Sequence, residues 1–362
     1  MKNNQSQKSS CQDPGSRIQI VGIVGEGKMG TSLFYFLLEF PFLLRWICSP
    51  EADLEKFHKT FTIKALRSLK TGLIDQQEHD EILNSTIISS DPEQLKDCDL
   101  VIETINEEFE LKRNLFSRID KIVPASCILA SNSSSINPSR LFVSEARDPF
   151  IIGLHYFYPI PLKDIVELIY TEKTPVEVRS RVEYFIRKTG KHFISLNESN
   201  SFILNRLFLD IQNDAFRIVE QKKATFSQID DLVSSRLFPF GVFDFMDNVG
   251  IDTMLASVKN YTSDYPHKDY YQPLIDKLYR LEKAGKLGLK SGEGFYTYPE
   301  GIKTHADSEK ALSETEEKEI LDYLSNTYIN ASKRFTMQSG CTIDEMNHAI
   351  KEYFGIEKGP FE

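Results

Sequence analysis

The sequence predicts an α/β protein in which a doubly wound parallel sheet is followed by an all-helical C-terminal domain. Three observations support this prediction. A short β-branched run leads into a glycine-rich loop at residues 25–30, strand-like and helix-like segments alternate up to about residue 170, and the pattern is mostly helical after residue 198. Such alternation is typical of parallel sheets that carry helices on both faces.

The individual segments of the N-terminal part fit this class. Short apolar runs rich in β-branched residues predict strands at 18–24, 45–48, 86–89, 99–105, 127–132, 150–157 and 164–170. Apolar residues at helical spacing predict helices at 28–39 and 107–120, and one or two more within 51–84. The first of these helices is expected to stop near Pro41.

Composition limits the class of partner. The 362 residues are enough for about two domains, and the net charge of −10 disfavours nucleic acid or an anionic membrane as the main partner. The longest apolar stretch, 33–44, is too short to cross a bilayer. Five scattered cysteines without CxxC spacing indicate a reducing compartment and no zinc site. We therefore expect a cytoplasmic protein with no bound metal.

The segment GEGKMG at 25–30 carries glycines at positions 25, 27 and 30. Because it follows a strand and opens a helix, it has the context of a Rossmann dinucleotide loop. Gly25 permits the tight turn, Gly27 lets a pyrophosphate approach the backbone, and Gly30 allows close packing of helix and strand. The free N–H groups at the helix start favour an anion. A nicotinamide dinucleotide is therefore the predicted cofactor.

The position that normally binds the ribose is unusual. NAD sites carry an acidic residue at the end of the second strand, but this chain has Cys48, Ser49 and Pro50 there, and its first acid is Glu51. Either Ser49 or Glu51 takes that role, or the cofactor preference differs. Since Arg45 is near in sequence, NADP stays open as an alternative to NAD.

His155 and Glu167 form the predicted catalytic pair. His155 ends the strand 150–157, at the sheet edge where α/β proteins bind ligands, and Glu167 lies inside the next apolar strand. The turn with Pro159 and Pro161 between them can bring the two strands side by side. A carboxylate on one imidazole nitrogen fixes the tautomer and leaves the other nitrogen as a general base. Dehydrogenases that act on alcohols need such a base.

The chain divides into four parts. Residues 1–16 are expected to be a disordered tail, 17–197 the dinucleotide-binding Rossmann domain, 198–299 a helical domain and 300–362 a helical extension. The extension looks like a partial second copy of the helical domain, since GPFE at 359–362 echoes GVFD at 241–244. In that alignment Ile343 and Asp344 match Ile229 and Asp230.

The whole pattern resembles the L-3-hydroxyacyl-CoA dehydrogenase family from about residue 18 to residue 299. The motifs that carry the resemblance are GEGKMG (25–30), DLVIETINEEFELKRNLF (99–116), ILASNSSSI (128–136), GLHYFYPIPLKDIVELI (153–169), SFILNRLF (201–208), PFGVFDFMDNVGIDT (239–253) and KLGLKSGEGFYTY (286–298). It implies hydride transfer between NAD and the 3-hydroxyl group of a 3-hydroxyacyl-CoA. It also implies that the helical domain binds substrate and that the protein can form a homodimer through this domain.

The resemblance also implies roles for single residues. His155 would remove the hydroxyl proton with Glu167 orienting it, Ser134 would hydrogen-bond the substrate oxygen, and Asn205 would bind substrate across the cleft. The residues expected to bind the cofactor are Gly25, Gly27, Lys28, Met29, Gly30, Ser49, Glu107, Lys112, Asn132 and Ser134.

Two departures from the family pattern, the missing acid at Cys48–Ser49 and the residue at position 158, keep alternatives open. The family's stretch after the histidine usually reads Phe-Phe-Asn-Pro, whereas this chain has Tyr158 in place of the asparagine. The alternatives are a related dehydrogenase acting on a non-CoA hydroxy acid or sugar acid, and a dinucleotide-binding relative with weak catalysis.

Overall fold

The structure, a computed structural model, describes residues 17–141, 143–198, 202–263, 268–304 and 311–362. The predicted tail at 1–16 lies outside these residues. Eight strands form one sheet in the order β3-β2-β1-β4-β5-β6-β7-β8. The strands are β1 (Ile20–Val24), β2 (Leu43–Ile47), β3 (Ile87–Ser89), β4 (Leu100–Glu103), β5 (Ile128–Ser131), β6 (Ile151–Tyr156), β7 (Ile165–Tyr170) and β8 (His192–Asn197).

Helices cover both faces of the sheet, as expected for a doubly wound fold. The five helices of this domain are α1 (Lys28–Leu37), α2 (Leu54–Lys70), α3 (Gln76–Ser85), α4 (Phe109–Ile119) and α5 (Val176–Lys188). One apolar core contains buried side chains of α1, α2 and α5, and a second core contains those of α4. The sequence pattern predicted neither α5 nor β8; β8 forms the far edge of the sheet.

The predicted doubly wound sheet is confirmed, and its strands are parallel from β1 to β6, whereas the last two strands run in the opposite direction. β7 pairs with β6 in the antiparallel sense, and β8 then runs parallel to β7. A parallel crossover needs about a dozen residues or more, and the connection here, residues 157–164, is shorter. The short connection therefore makes β6 and β7 neighbours that run in opposite directions.

The helical part begins with α6 (Ile203–Glu220), nearly all of whose side chains are buried. It is followed by α7 (Phe226–Arg236), α8 (Val242–Val249), α9 (Ile251–Thr262) and α10 (Gln272–Lys283), and the extension adds α11 (Glu314–Ser339) and α12 (Ile343–Phe354). Side chains of α11 and α12 belong to the same apolar core as α6. The extension is thus packed into the helical domain.

The extension repeats local features of the helical domain, although in a different register from the predicted one. α7 and α12 both begin with a capping box, at Thr225 and Thr342. Five residues further on, Asp230 accepts hydrogen bonds from the backbone that follows Gly241, and Asn347 accepts one from Phe361 after Gly359. These contacts match Asp230 with Asn347, whereas the sequence alignment had matched it with Asp344.

Candidate active site

The glycine loop has the shape that a dinucleotide requires. Gly25 has φ 115°, a conformation that favours glycine, and a Cβ atom on Gly30 would lie 2.1 Å from the carbonyl oxygen of Gly25. A Cβ atom on Gly27 would meet nothing within 4 Å. Gly27 precedes α1, whose start has no side-chain cap. Open backbone at a helix N-terminus is the feature that accepts a pyrophosphate, so these residues fit the cofactor.

A cleft of about 530 Å³ extends from this loop to the end of β2, with Gly25, Glu26, Gly27, Cys48 and Ser49 among its lining residues. Lys28 is exposed beside the loop, and Met29 is half-buried against the apolar core.

The end of β2 receives a carboxylate from the glycine loop. The backbone N–H of Ser49 donates a hydrogen bond to Glu26 at 3.0 Å, while Glu51 is exposed. Burial, together with the negative charge of Glu26, raises the pKa of the neighbouring Cys48 thiol to about 12. An acidic group therefore lies at the ribose end of the cleft, although the strand itself supplies none.

Arg45 does not serve this end of the cleft. Its guanidinium donates to the carbonyl oxygen of Ser85 at 2.8 Å and to the carboxylate of Asp97 at 3.1 Å. The suggestion that Arg45 could accommodate a 2′-phosphate is therefore not supported.

His155 and Glu167 meet across the β6–β7 pair. They are direct register partners, and Nδ1 of His155 lies 2.7 Å from Oε2 of Glu167. Only 5% of the His155 surface and none of the Glu167 surface is exposed. With Nδ1 engaged, Nε2 is the nitrogen left to exchange a proton with a substrate. The structure brings together the two residues that the sequence proposed as a pair.

The second oxygen of Glu167 ties the pair to the helical domain. Oε1 accepts a hydrogen bond from the backbone N–H of Leu204, at the start of α6, at 3.2 Å. A carboxylate at a helix N-terminus is favoured by the helix dipole. The rings of Phe157 and Phe202 lie 4.4 and 5.8 Å from the imidazole. Glu167 thus orients His155 inside an apolar enclosure that spans both domains.

Glu107 organises the SNSSS loop that follows β5. Its Oε1 accepts hydrogen bonds from the hydroxyls of Ser133 and Ser135 at 2.5 and 2.7 Å, and from the N–H of Ser134 at 3.1 Å. Burial alone would raise the pKa of Glu107, but the charge of Lys112 and these hydroxyls outweigh it and leave the pKa lowered. The Ser134 hydroxyl lies within hydrogen-bonding reach of the Tyr261 hydroxyl.

Lys112 supports the SNSSS loop through its contacts with Glu103 and Glu107. Its ammonium lies 2.6 Å from Glu103 and 3.3 Å from Glu107, and its side chain is 1% exposed. Asn132 has a similar role, since its Oδ1 accepts a hydrogen bond from the N–H of Tyr156 at 2.9 Å. Both residues therefore hold the backbone around the predicted site.

Asn205 lies in a chain of hydrogen bonds that the sequence did not reveal. Its Nδ2 donates to the hydroxyl of Tyr261 at 2.9 Å, and that hydroxyl donates to the carbonyl oxygen of Ser134 at 2.7 Å. The hydroxyl of Tyr353, in α12, donates to Oδ1 of Asn205 at 2.9 Å. The Tyr353 ring also lies 5.3 Å from that of Phe157. The extension thus reaches the predicted site directly.

Two other features lie at the surface. Tyr158, which replaces the family's asparagine, is 56% exposed. On α2 a group of basic residues is exposed: Lys59, Lys64, Arg67 and Lys70.

A dinucleotide cleft, an imidazole held by a buried carboxylate, and hydroxyl and amide donors at one sheet edge define the class: a nicotinamide-dependent dehydrogenase. Comparison with known proteins agrees. Residues 20–199 match the family model "3-hydroxyacyl-CoA dehydrogenase, NAD binding domain", and residues 202–298 match "3-hydroxyacyl-CoA dehydrogenase, C-terminal domain". The chain belongs to the 3-hydroxyacyl-CoA dehydrogenase family, whose members are NAD-dependent oxidoreductases.

Individual relatives cover most of the chain. A 3-hydroxybutyryl-CoA dehydrogenase of Mycobacterium tuberculosis is 31% identical over 285 residues, which are 78% of this chain and 99% of that protein. The crystal structure of the (S)-3-hydroxybutyryl-CoA dehydrogenase PaaH1 from Ralstonia eutropha has a TM-score of 0.68 at 30% identity and covers 78% of this chain and 99% of its own.

A third structure resembles the extension as well. The 3-hydroxybutyryl-CoA dehydrogenase of Escherichia coli covers 95% of this chain and 90% of its own with a TM-score of 0.74 at 17% identity, which is a likeness of fold. Within the described residues, no helix is long and apolar enough to span a membrane.

Proposed function

We propose that this protein interconverts a 3-hydroxyacyl-CoA and the corresponding 3-oxoacyl-CoA with NAD, and that His155 is the general base. The observation that carries the proposal is the 2.7 Å contact between His155 and the fully buried Glu167, at the sheet edge that also carries the glycine loop. Bound NAD⁺ would accept the hydride from C3 of the substrate.

The geometry of the His155–Glu167 pair indicates which nitrogen atom accepts the substrate proton. Glu167 accepts the Nδ1–H of His155, which leaves Nε2 with a lone pair that takes the 3-hydroxyl proton as the carbonyl forms. The carboxylate then stabilises the imidazolium. In the reverse direction the imidazolium returns this proton to the developing alkoxide.

Ser134 and Asn205 are suited to the substrate oxygen. The Ser134 hydroxyl lies beside that of Tyr261, and the Asn205 amide has two N–H groups, of which Tyr261 receives one. Donors fixed before the reaction stabilise an oxyanion without reorganisation. We assign Tyr353 and Tyr261 as positioning residues, since they hold Asn205 from two sides.

For the cofactor, we propose that Glu26 replaces the missing ribose acid and favours NAD over NADP. Its carboxylate lies against the Ser49 N–H, where a 2′-phosphate would bring a second negative charge. Glu26→Gln should improve NADPH binding relative to NADH by about tenfold, equivalent to ~1.4 kcal/mol of like-charge repulsion. Titration of the fluorescence of each reduced cofactor measures both affinities, and an unchanged ratio would contradict this role.

The other residues predicted to bind the cofactor have less direct roles in this proposal. Ser49 lines the dinucleotide cleft, and Lys28 and Met29 begin the helix that follows its glycine loop. Glu107, Lys112 and Asn132 support the backbone around the SNSSS loop. The exposed basic residues of α2 are a candidate surface for the phosphates of CoA.

We also propose that the extension acts in cis and makes the protein a monomer, in place of the homodimer that the family resemblance suggested. α11 packs along α6, and its Thr327 and Arg334 bond to Asp214 and Asp210 of that helix. Light scattering of the full chain should give a mass near 41.6 kDa. A mass of twice this value at micromolar protein concentration would contradict the monomer and support the homodimer.

The test of the function is a reduction assay with acetoacetyl-CoA that follows NADH consumption. The wild-type chain should turn over, and His155→Gln should be slower by roughly 10²–10⁴ with unchanged NADH affinity. A near-normal rate in that variant would remove His155 from the mechanism.

Free hydroxy acids and small dicarbonyl compounds belong in the same assay, because a diketoreductase structure shares the fold at 28% identity with a TM-score of 0.60. Preference for these substrates would favour the non-CoA alternative. Cofactor binding without turnover of any of them would favour the weakly catalytic alternative.

A cytoplasmic location and the lack of a nucleic-acid partner stay predictions. The free thiols of Cys48, Cys98, Cys127 and Cys341 support a reducing compartment.

A further inference from the structure

Three side chains with metal-binding atoms converge where the extension meets the edge of the sheet. Asp164 lies just before β7, His192 is the first residue of β8, and His348 is in α12. One ligand atom from each lies within 4.8 Å of those of the other two. We propose that these residues form a site for Zn²⁺ or a similar divalent transition-metal ion, which links α12 to the sheet.

The distances are close to those that a shared ion needs. Nδ1 of His192 is 2.8 Å from Oδ2 of Asp164, and Nε2 of His348 is 3.9 Å from the same oxygen. Zinc–ligand distances of about 2.0–2.2 Å in a tetrahedron place ligand atoms roughly 3.3 Å apart, so small side-chain rotations bring all three onto one ion. Water would complete the coordination, as at three-ligand zinc sites.

His348 supplies a second, independent observation. Its Nε2 atom is shielded from solvent and has no hydrogen-bond partner in the described part of the chain. A polar atom that is shielded from solvent and lacks a partner destabilises the fold. Coordination of a metal ion by this nitrogen would remove that destabilisation. The His348 and His192 rings lie 4.5 Å apart, so both face the same small volume.

The surrounding charges permit a cation. The nearby ammonium groups of Lys163 and Lys191 are directed at backbone carbonyl oxygens, those of Glu352 and Tyr353 for the first and those of Ile160 and Lys163 for the second. The donor set of two imidazoles and one carboxylate suits Zn²⁺, Ni²⁺ or Co²⁺ and disfavours Mg²⁺ or Ca²⁺, which prefer oxygen ligands.

The position gives the site a consequence for the enzyme. Asp164 lies three residues before Glu167, and His348 lies five residues before Tyr353 on the same helix. An ion bound between them would fix α12 relative to β7. It would therefore hold the Tyr353 hydroxyl against Asn205. This consequence for catalysis rests on the proposed function, whereas metal binding is independent of it.

The test is calorimetric titration of ZnCl₂ into the tag-free full-length chain after EDTA treatment and dialysis. We expect one site, a higher melting temperature with Zn²⁺, and no response to Mg²⁺. His348→Gln and His192→Gln should each weaken Zn²⁺ binding by tenfold or more and abolish the thermal shift.

His79→Gln is the matched control, because His79 pairs with Asp80 at 3.0 Å but belongs to no three-ligand group among the described residues. It should bind Zn²⁺ like the wild-type chain. Absence of binding to the wild type, or equal affinity in His348→Gln, would overturn the proposal. Amide exchange of α12 is the second measurement, and it should slow with Zn²⁺ in wild type only.

Discussion

Glu167→Gln tests the centre of the proposed site, because it removes one charge and keeps the shape. The carboxylate is fully buried and accepts two hydrogen bonds, one from His155 and one from the Leu204 N–H. A hydrogen bond to a charged group contributes about 1.5–3 kcal/mol. Since the imidazole becomes positive in the transition state, losing this stabilisation should lower kcat by roughly 10- to 150-fold.

The same substitution should also lower stability. A glutamine has one oxygen where the carboxylate has two, so it cannot accept both hydrogen bonds, and a buried N–H left without an acceptor costs about 1–3 kcal/mol. We therefore expect a melting temperature several degrees lower. NADH affinity should stay within about twofold, because Glu167 lies outside the dinucleotide cleft.

The assay is steady-state reduction of acetoacetyl-CoA at saturating NADH, with melting temperature and NADH affinity measured on the same samples. Asp80→Asn is the control, because it removes an exposed carboxylate that pairs with a different histidine, the buried His79 on α3. A kcat for Glu167→Gln within twofold of the wild type would refute the assignment of Glu167 as the residue that orients the base.

Three further predictions concern the rest of the site. Tyr353→Phe loses one hydrogen bond of about 0.5–1.5 kcal/mol to Asn205, the proposed substrate-binding residue. The kcat/KM should therefore fall about two- to tenfold while the melting temperature falls by at most a few degrees, and an unaffected kcat/KM would contradict the positioning role. Gly27→Ala should weaken NADH binding without loss of stability, because its Cβ would meet no other atom of the described chain within 4 Å. Gly30→Ala should lower the melting temperature, because its Cβ would lie 2.1 Å from a carbonyl oxygen. NADH titration measures the first effect and thermal melting by circular dichroism measures the second. Because burial and a neighbouring acid raise the pKa of Cys48 to about 12, its thiolate should be scarce below that pH, and iodoacetamide labelling of the folded protein at pH 8, read by mass spectrometry, should spare it; rapid labelling would contradict this.

Local pattern predicted the elements that depend on local physics. The strand, glycine loop and helix at 18–39 follow from β-branched residues and glycine spacing, and β1 and α1 confirm them. The pairing of His155 with Glu167 was also predictable, because a two-proline turn between two apolar strands leaves few other arrangements. α5 and β8, between residue 170 and the helical domain, were not predicted.

Other parts of the site depend on contacts between residues far apart in the chain. Glu26 lies in the glycine loop, and only the fold brings its carboxylate to the backbone N–H of Ser49, 23 positions away. Tyr353 lies 148 positions from Asn205, and its own helix gives no sign of a role at the site. No periodicity encodes such contacts.

The sequence by itself thus determined the class of fold, the dinucleotide loop, the family and the histidine with its carboxylate, because each depends on short-range spacing or on a motif. Only the tertiary structure decided the contact between Glu26 and Ser49 and the position of Tyr353, from the extension, beside Asn205. Packing of the extension on α6 and against β7 and β8 places Tyr353 there, and the apolar area that this packing buries is a property of the whole chain.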